Sequence, residues 1–128
     1  ELGLTWLAEI GASGQVAGPD STLQLQPAHA IKKAAEKEGI GISDIDLFEI
    51  NEAFAAQVLP SADDLGMDPD RLNVHGGAIA LGHPFGSTGT RIMTTLINGL
   101  QARDGQFGLE TMCVGGGQGM AMIVERLT

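Results

Sequence analysis

Three side chains that could carry proton-transfer or acyl-transfer chemistry each follow a short apolar run of the sequence. Asn51 comes directly after the run Leu47–Ile50, His83 lies in a glycine-rich stretch after residues 72–74, and Cys113 lies near the end of the run 109–114. An imidazole and a thiol exchange protons readily near neutral pH, and an amide orients them. Ligands of open α/β sheets bind at the carboxyl ends of strands, so we expect these three side chains to converge in one pocket.

Cys113 is followed by three consecutive glycines at positions 115–117. Such a run lets successive backbone N–H groups point into one concavity, where they can stabilise a developing oxyanion. A thiol beside it could then act as an acid or base. A buried cysteine that only fills space at the end of a strand fits the same pattern equally well.

His83 belongs to the stretch 73–89, which holds five glycines and two of the three histidines of the chain. Gly82 and Pro84 constrain the backbone on both sides of His83, which favours a directed imidazole over a turn histidine bonded to a nearby carbonyl. His29 and His75 are weaker candidates, because the first is predicted to be exposed on a helix and the second could cap a turn.

Two other site types are disfavoured by the spacing of the candidate residues. The histidines and Cys113 lack the closely spaced ligand pairs of a zinc site, so no metal is predicted. No lysine follows the glycines at 86–89 or 115–117, so neither segment is a phosphate loop of the Walker type.

The composition limits the environment and the partners. A formal net charge of −9 disfavours nucleic acid and anionic membranes as partners. The single cysteine excludes an internal disulfide and fits a reducing compartment, and no apolar run is long enough to span a membrane. We therefore expect a cytoplasmic protein. The missing initiator methionine predicts a fragment of a longer chain.

Hydrophobic periodicity predicts alternating strands and helices, and hence one α/β domain with helices on both faces of a sheet. Proline is expected to kink or break the second predicted helix at Pro60. The predicted strands cover residues 5–10, 47–50, 72–74, 109–114 and 120–124, with the last two forming a hairpin. The predicted helices cover residues 27–38 and 53–65 and a segment that begins near residue 86 and ends before Gly105.

Three segments together resemble the C-terminal signatures of the thiolases, the acetyl-CoA acetyltransferases and 3-ketoacyl-CoA thiolases. They are Asn-Glu-Ala-Phe-Ala at 51–55, His-Gly-Gly-Ala-Ile-Ala-Leu-Gly-His-Pro at 75–84, and Cys-Val-Gly-Gly-Gly-Gln-Gly at 113–119. The resemblance implies a chain of two similar halves, each with a five-stranded mixed sheet covered by helices. Residues 1–128 would be the C-terminal half, and the nucleophilic cysteine would lie in the other half.

The resemblance also implies a role for each matching residue. His83 would activate the nucleophilic cysteine and donate to the thioester oxygen, while Asn51 would hold the water that completes this oxyanion hole. Cys113 would move the proton of the enolate-forming carbon, and the backbone N–H of Gly115 would help form a second oxyanion hole. Phe54 would line the channel for the pantetheine arm.

One segment departs from the family pattern. Where many thiolases carry a Gly- and Pro-rich segment before the first long helix, residues 23–30 read Leu-Gln-Leu-Gln-Pro-Ala-His-Ala. This segment borders the acyl pocket in the family, so Leu23 is a candidate substrate contact and the acyl chain length is left open.

The implied activity is thiolytic cleavage of 3-ketoacyl-CoA, or the reverse Claisen condensation, with coenzyme A as a substrate and no cofactor. The implied partners are the N-terminal half and further copies in a homodimer or homotetramer. The isolated fragment is expected to be inactive. The alternative is a thiolase-like domain that serves binding or assembly without catalysis.

Overall fold

The computed structural model describes residues 2–128 and contains a mixed sheet of four strands. The sheet order is β1-β4-β3-β2, with the β1/β4 and β4/β3 pairs antiparallel and the β3/β2 pair parallel. The strands are β1 Ala8–Ala17, β2 Leu47–Ile50, β3 Phe107–Val114 and β4 Gln118–Arg126. The α-helices are α1 Gln26–Glu38, α2 Ala55–Leu65, α3 Ala78–Leu81 and α4 Phe85–Arg103, and short 3-10 turns occur at Ile42–Asp44 and Pro69–Arg71.

Helix α1 covers one face of the sheet, and its backbone lies close to the strands. Its buried stripe consists of small or β-branched residues, Ala30, Ile31 and Ala34, which pack with Leu109 and Ile123 of the sheet. The stripe repeats at the spacing of one helix face, as the sequence predicted. Small side chains let the helix backbone approach the strands, so this side of the core is thin and dense.

Helix α4 covers the opposite face. Leu96 and Leu100 pack there against Leu47 of β2 and Val124 of β4. Gly108 of β3 lies under the same two leucines, at a point where a Cβ atom would be 2.9 Å from each of them. The predicted α/β class with helices on both faces is therefore confirmed.

The first strand is longer and later than predicted. Residues 5–7 precede it, and β1 continues beyond the predicted end at residue 10, through Gly11 and Gly14. A register shift between Ile10 and Ser13 absorbs Gly11, and Gly14 faces the backbone of Ala30 in α1, where a side chain would not fit. These glycines serve a bulge and a close helix contact rather than a turn.

The expected fifth strand is wrong for the described residues, where the sheet has four. Residues 72–74 contribute two isolated bridges, between Leu72 and Phe48 and between Val74 and Gly76. Asn73 then turns the chain with φ 47°, and its side chain takes the place of a ladder partner. Its Oδ1 accepts from the N–H of Ile50 (2.8 Å) and its Nδ2 donates to the Ile50 oxygen (2.9 Å).

The remaining elements are close to expectation, with two differences. Helix α2 continues on both sides of Pro60, so the predicted break does not occur. The short helix α3 inside the glycine-rich stretch was not predicted. The β3–β4 hairpin is confirmed. Within residues 2–128, no helix combines the length and the apolar character needed to cross a membrane.

Candidate active site

Asn51 lies at the carboxyl end of β2, where the chain leaves the sheet. The residue is fully buried, and its backbone N–H donates to the oxygen of Thr111 on β3 at 2.9 Å. This bond extends the parallel ladder by one residue and places the Asn51 side chain at the edge of the sheet where β3 also approaches its end.

Glu52 attaches the glycine-rich stretch to this end of β2. Its carboxylate accepts from Asn73 Nδ2 (3.1 Å) at the start of the stretch and from the N–H of Ile79 (3.0 Å) in the first turn of α3. Gly77 lies against the same carboxylate, where a Cβ atom would overlap it. The loop that carries His83 is therefore fixed to the residue next to Asn51.

The imidazole of His83 is held from two sides. Its Nδ1 is 2.7 Å from the hydroxyl of Thr88, and Nε2 is 3.2 Å from Asn51 Nδ2. The Thr88 hydroxyl is also 3.1 Å from the oxygen of Pro84, to which it can donate while it accepts from a protonated Nδ1. Asn51 Nδ2 lies 3.5 Å from Nδ1 as well, so the amide is in contact with both ring nitrogens. In the Nδ1–H form, Nε2 carries the lone pair with which an imidazole acts as a base.

The orientation of the Asn51 amide is set by its other end. Asn51 Oδ1 accepts from Arg91 Nη2 at 3.4 Å, so Nδ2 faces His83. Arg91 lies on α4, one turn after Thr88, so one face of this helix contacts both members of the His83–Asn51 pair.

Two carboxyl groups, the buried Glu49 on β2 and the half-buried Glu110 on β3, are in register with each other. Glu49 is 3% exposed, and burial raises its pKa to about 7, opposed by the positive charge of Arg91 and assisted by the negative charges of Glu52 and Glu110. Burial also raises the pKa of Glu110, its register partner on β3, to about 7.

Cys113 is half-buried near the end of β3, two residues beyond the strand contact of Asn51. Burial raises the pKa of its thiol, partly offset by its own backbone N–H, so the group is protonated at neutral pH. In the described residues, no hydrogen bond joins the Cys113 sulfur to Asn51 or His83. The structure thus brings Asn51 and His83 into contact and leaves Cys113 on the neighbouring strand end.

Gly115 begins the turn of the β3–β4 hairpin and is exposed. Gly116 (φ 86°) and Gly117 (φ 77°) follow in the left-handed region, and Gln118 Nε2 donates to the Gly115 oxygen at 2.8 Å. Within the part of the chain that the structure describes, no acceptor is bonded to the N–H of Gly115.

Leu23 and Phe54, the two candidate substrate contacts, lie together. Both line an open groove of about 430 Å³ between the segment before α1 and the start of α2. Phe54 is 62% exposed, so a large apolar ring is presented to a ligand there. The residues that line the groove are Ser21, Thr22, Leu23, Gln24, Phe54, Ala56 and Gln57, without Asn51, His83 or Cys113.

The two weaker histidine candidates lie on α1 and beside α4. His29 is exposed on α1, and His75 is exposed beside Gly99 of α4. Across residues 2–128, no cluster of three or more histidine, cysteine or acidic side chains could hold a metal ion.

Three residues of the site were missed in the sequence, Glu52, Thr88 and Arg91. A signal existed for the last two, because they lie three residues apart in the helix that directly follows His83 and therefore share a face. Glu52 is part of the segment 51–55 but its contacts with residues 73 and 79 depend on tertiary structure.

Comparison with known proteins gives a consistent result. Residues 4–126 match the family described as "Thiolase, C-terminal domain". The chain is 56% identical over 126 residues to a "Probable acetyl-CoA acetyltransferase" of Mycolicibacterium smegmatis, covering 98% of this chain and 32% of that protein. It is 50% identical over 130 residues to a "3-ketoacyl-CoA thiolase" of Klebsiella pneumoniae, covering 99% of this chain and 34% of that protein.

A solved structure agrees with these relatives. The crystal structure of the Bacillus anthracis acetyl-CoA acetyltransferase matches with a TM-score of 0.93 and 42% identity, over 98% of this chain and 32% of that one. The chain thus spans about a third of the length of these relatives. On the family match and these identities, the chain belongs to the thiolase family, as its C-terminal domain.

Proposed function

We propose that this chain is the C-terminal half of an acyl-CoA C-acyltransferase that acts on acyl-CoA and 3-ketoacyl-CoA thioesters. The observation that carries the proposal is the imidazole of His83, which is held between the Thr88 hydroxyl at Nδ1 and the Asn51 amide. A base oriented in this way is half of a nucleophile–base pair. The other half would be a cysteine of the N-terminal part.

In the cleavage direction, the thiol of that cysteine gives its proton to His83 Nε2. The thiolate attacks the ketone carbon of 3-ketoacyl-CoA, the bond between C2 and C3 breaks, and the shortened acyl group stays on sulfur. The thiol of coenzyme A then gives its proton to Cys113, which lost its own proton to the departing acetyl-CoA, and attacks this thioester. The nucleophile leaves as a thiolate and regains a proton from His83. Negative charge develops on oxygen in each attack, where the His83 imidazolium and a water held by Asn51 would donate to it.

Cys113 would supply the second proton. The electron pair left on C2 of departing acetyl-CoA takes the proton of the Cys113 thiol, which burial keeps protonated at neutral pH. The unbonded N–H of Gly115, two residues further on, would stabilise the enolate oxygen.

The groove beside Leu23 and Phe54 would receive the pantetheine arm and part of the acyl chain. Its apolar wall and its length suit a thin, flexible substrate arm. No separate cofactor enters this chemistry, because coenzyme A is itself a substrate.

Exposed apolar side chains on both sides of His83 indicate that another protein segment covers this surface. Ile79, Leu81 and Phe85 flank the histidine and are 68%, 67% and 86% exposed. A contiguous apolar surface of this kind marks an interface, and the N-terminal half is the occupant that the reaction needs. The complete enzyme would be a homodimer or homotetramer in the cytoplasm.

A non-catalytic binding or assembly domain is the second candidate. The exposed apolar residues around His83 fit it as well. The ordered set Thr88–His83–Asn51–Arg91 favours the enzyme, because an assembly surface does not require an imidazole held by two buried polar side chains.

A chimaera tests the proposal directly. This chain would replace the matching C-terminal third of the M. smegmatis relative, and cleavage of acetoacetyl-CoA by coenzyme A would be followed spectrophotometrically. We expect activity in the chimaera and a loss of at least about 100-fold on His83→Gln, because the base is removed. The isolated 128-residue chain should show none, since it lacks the nucleophile.

The matched control is His29→Gln, which changes an exposed histidine on α1 outside the site. A folded chimaera without activity, or one as active with His83→Gln as with His29→Gln, would refute the catalytic role and leave the assembly domain. Activity of the isolated chain would refute the requirement for an N-terminal half.

A further inference from the structure

Strand β1 forms one edge of the sheet, and within residues 2–128 no strand lies on its outer side. The N–H of Gly18 donates to the oxygen of Gly117 on the hairpin turn at 2.9 Å, so every second residue before Gly18 also faces β4, back to the register shift. Backbone groups alternate in direction along a strand. Those of Ser13 and Gln15 therefore point outward, away from the sheet.

Two lysines of α1 cover this outer edge. Lys33 Nζ donates to the oxygen of Gln15 at 2.8 Å, and Lys37 Nζ donates to the oxygen of Ser13 at 2.7 Å. The lysines are four residues apart and therefore share a face of the helix. Their ammonium groups bond the acceptors that the N–H groups of an added strand would otherwise use.

Glu38 covers the next part of the edge. Its carboxylate accepts from the N–H of Ala12 and lies against Gly11, where an added Cβ would be 2.7 Å from Oε2. Just before this bulge, Ile10 is 67% exposed, and Trp6 ahead of the strand is 78% exposed. Unpaired backbone beside exposed apolar side chains is the kind of edge at which protein molecules associate.

The strand itself carries little that would oppose pairing with an identical strand. Its ten residues, Ala-Glu-Ile-Gly-Ala-Ser-Gly-Gln-Val-Ala, include one charged side chain and no proline. Low charge and the absence of proline are typical of segments that pair with copies of themselves. The protection of this edge therefore comes from α1 and not from β1.

We propose that the outer edge of β1 is a pairing surface for a second copy of this chain, which Lys33, Lys37 and Glu38 keep closed. Two identical strands related by a two-fold axis pair antiparallel, and such a contact is complete in a dimer. The side chains of α1 thus hold the chain in its unpaired form. This inference is independent of the catalytic function proposed above.

Removal of both lysine donors tests the proposal. In the double variant Lys33→Ala/Lys37→Ala, we expect the mass from light scattering to rise about twofold over that of the wild type at the same concentration. The substitutions make the net charge more negative than −9, so charge repulsion opposes this association and cannot cause it.

Two further double variants separate the hydrogen bonds from a general effect of charge. Lys32→Ala/Arg103→Ala removes two positive charges whose hydrogen bonds lie away from β1, and its mass should equal that of the wild type. Lys33→Arg/Lys37→Arg retains positively charged donors at both positions and should also behave as the wild type.

Amide hydrogen exchange locates the new contact. The outward N–H groups of Ser13 and Gln15 should exchange about tenfold more slowly, or slower still, in the double-alanine variant than in the wild type. Adding Gln15→Pro to that variant removes one outward donor at an edge position that tolerates proline. We expect this addition to restore the wild-type mass.

A wild-type mass of the double-alanine variant would overturn the proposal. An increased mass with unchanged exchange at residues 13 and 15 would also overturn it, because the association would then use another surface. An equal rise in Lys32→Ala/Arg103→Ala would show an effect of charge alone. Loss of the wild-type circular dichroism spectrum in the double-alanine variant would refute the proposal too, since the lysines would then maintain the fold rather than cover the edge.

Discussion

His83 has two neighbours with different effects on its ring. The Thr88 hydroxyl contacts Nδ1 alone, whereas the Asn51 amide contacts both ring nitrogens. Both depend on further groups, since the Thr88 hydroxyl is directed by the Pro84 oxygen and the Asn51 amide by Arg91. The reactivity of one imidazole therefore depends on four neighbouring residues.

A pair of substitutions at Thr88 tests this arrangement. Thr88 is fully buried, so Thr88→Val keeps its volume and removes the hydroxyl that accepts from His83. The Pro84 oxygen stays satisfied by the N–H groups of Ser87 and Thr88. We expect Thr88→Val to lower kcat/KM of the chimaera by about 10- to 100-fold, because the ring is no longer held in place.

Thr88→Ser is the matched control, because serine retains the hydroxyl and loses only a methyl group. Its kcat/KM for acetoacetyl-CoA should stay within about threefold of the unsubstituted chimaera. If valine and serine had the same effect, packing rather than the hydrogen bond would explain the role of this position.

At the scale of the elements, α1 packs on the sheet through side chains and, at two glycines, directly against strand backbone. Gly14 of β1 faces the Ala30 oxygen, and Gly119 of β4 faces the Gln26 oxygen, so both strands lie directly against the helix. This contact fixes the segment before α1, which carries Leu23 of the groove. Gly14 and Gly119 thus help to position the segment that carries Leu23, a candidate substrate contact.

Gly14→Ala should therefore destabilise the chain. The added Cβ would overlap the Ala30 oxygen and lie 2.8 Å from the Ala34 nitrogen, both in helix backbone that cannot rotate away. We expect a loss of about 1–3 kcal/mol in the free energy of unfolding, measured by urea denaturation. Gly86→Ala in α4 is the control, since nothing lies within 4 Å of its added Cβ. Equal stability of the two variants would contradict the tight α1 contact.

At the scale of the whole molecule, buried acidic groups make stability depend on pH. The pKa of Glu49 is raised by burial from 4.5 to about 7, as is that of Glu110, so between these values the folded chain binds more protons than the unfolded one. The free energy of unfolding must then fall as the pH rises through this window. Arg91, Glu52 and Glu110 are the charged groups that act on Glu49.

We expect the urea midpoint of the chain to decrease between pH 5 and pH 7.5 and then to level off. Glu49→Gln should flatten this dependence, because one of the two titrating carboxyl groups is removed, with an effect on the order of 2 kcal/mol across the window. Glu36→Gln, on the exposed side of α1, is the control and should follow the wild-type curve. Parallel curves for wild type and Glu49→Gln would show that Glu49 does not titrate differently on folding.

The sequence alone determined the family, the α/β class and the candidate side chains, because these depend on residue types at fixed spacings. Asn51, His83 and Cys113 each follow an apolar run, and the stripe of α1 repeats at helical spacing. Leu23 and Phe54 came from the resemblance alone, and the structure places them on one groove.

The tertiary structure decided the contacts between residues that are far apart in the chain, which local sequence patterns do not predict. Gly11 and Gly14 lie inside β1, beyond its predicted end at residue 10, because Gly11 is part of a bulge and Gly14 faces Ala30 of α1, 16 residues away in the chain. The fifth strand is replaced by the Asn73 side chain, which bonds Ile50 from 23 residues away. The Thr88–His83–Asn51–Arg91 set joins a strand end to a helix, and such pairings depend on packing across the core rather than on local sequence.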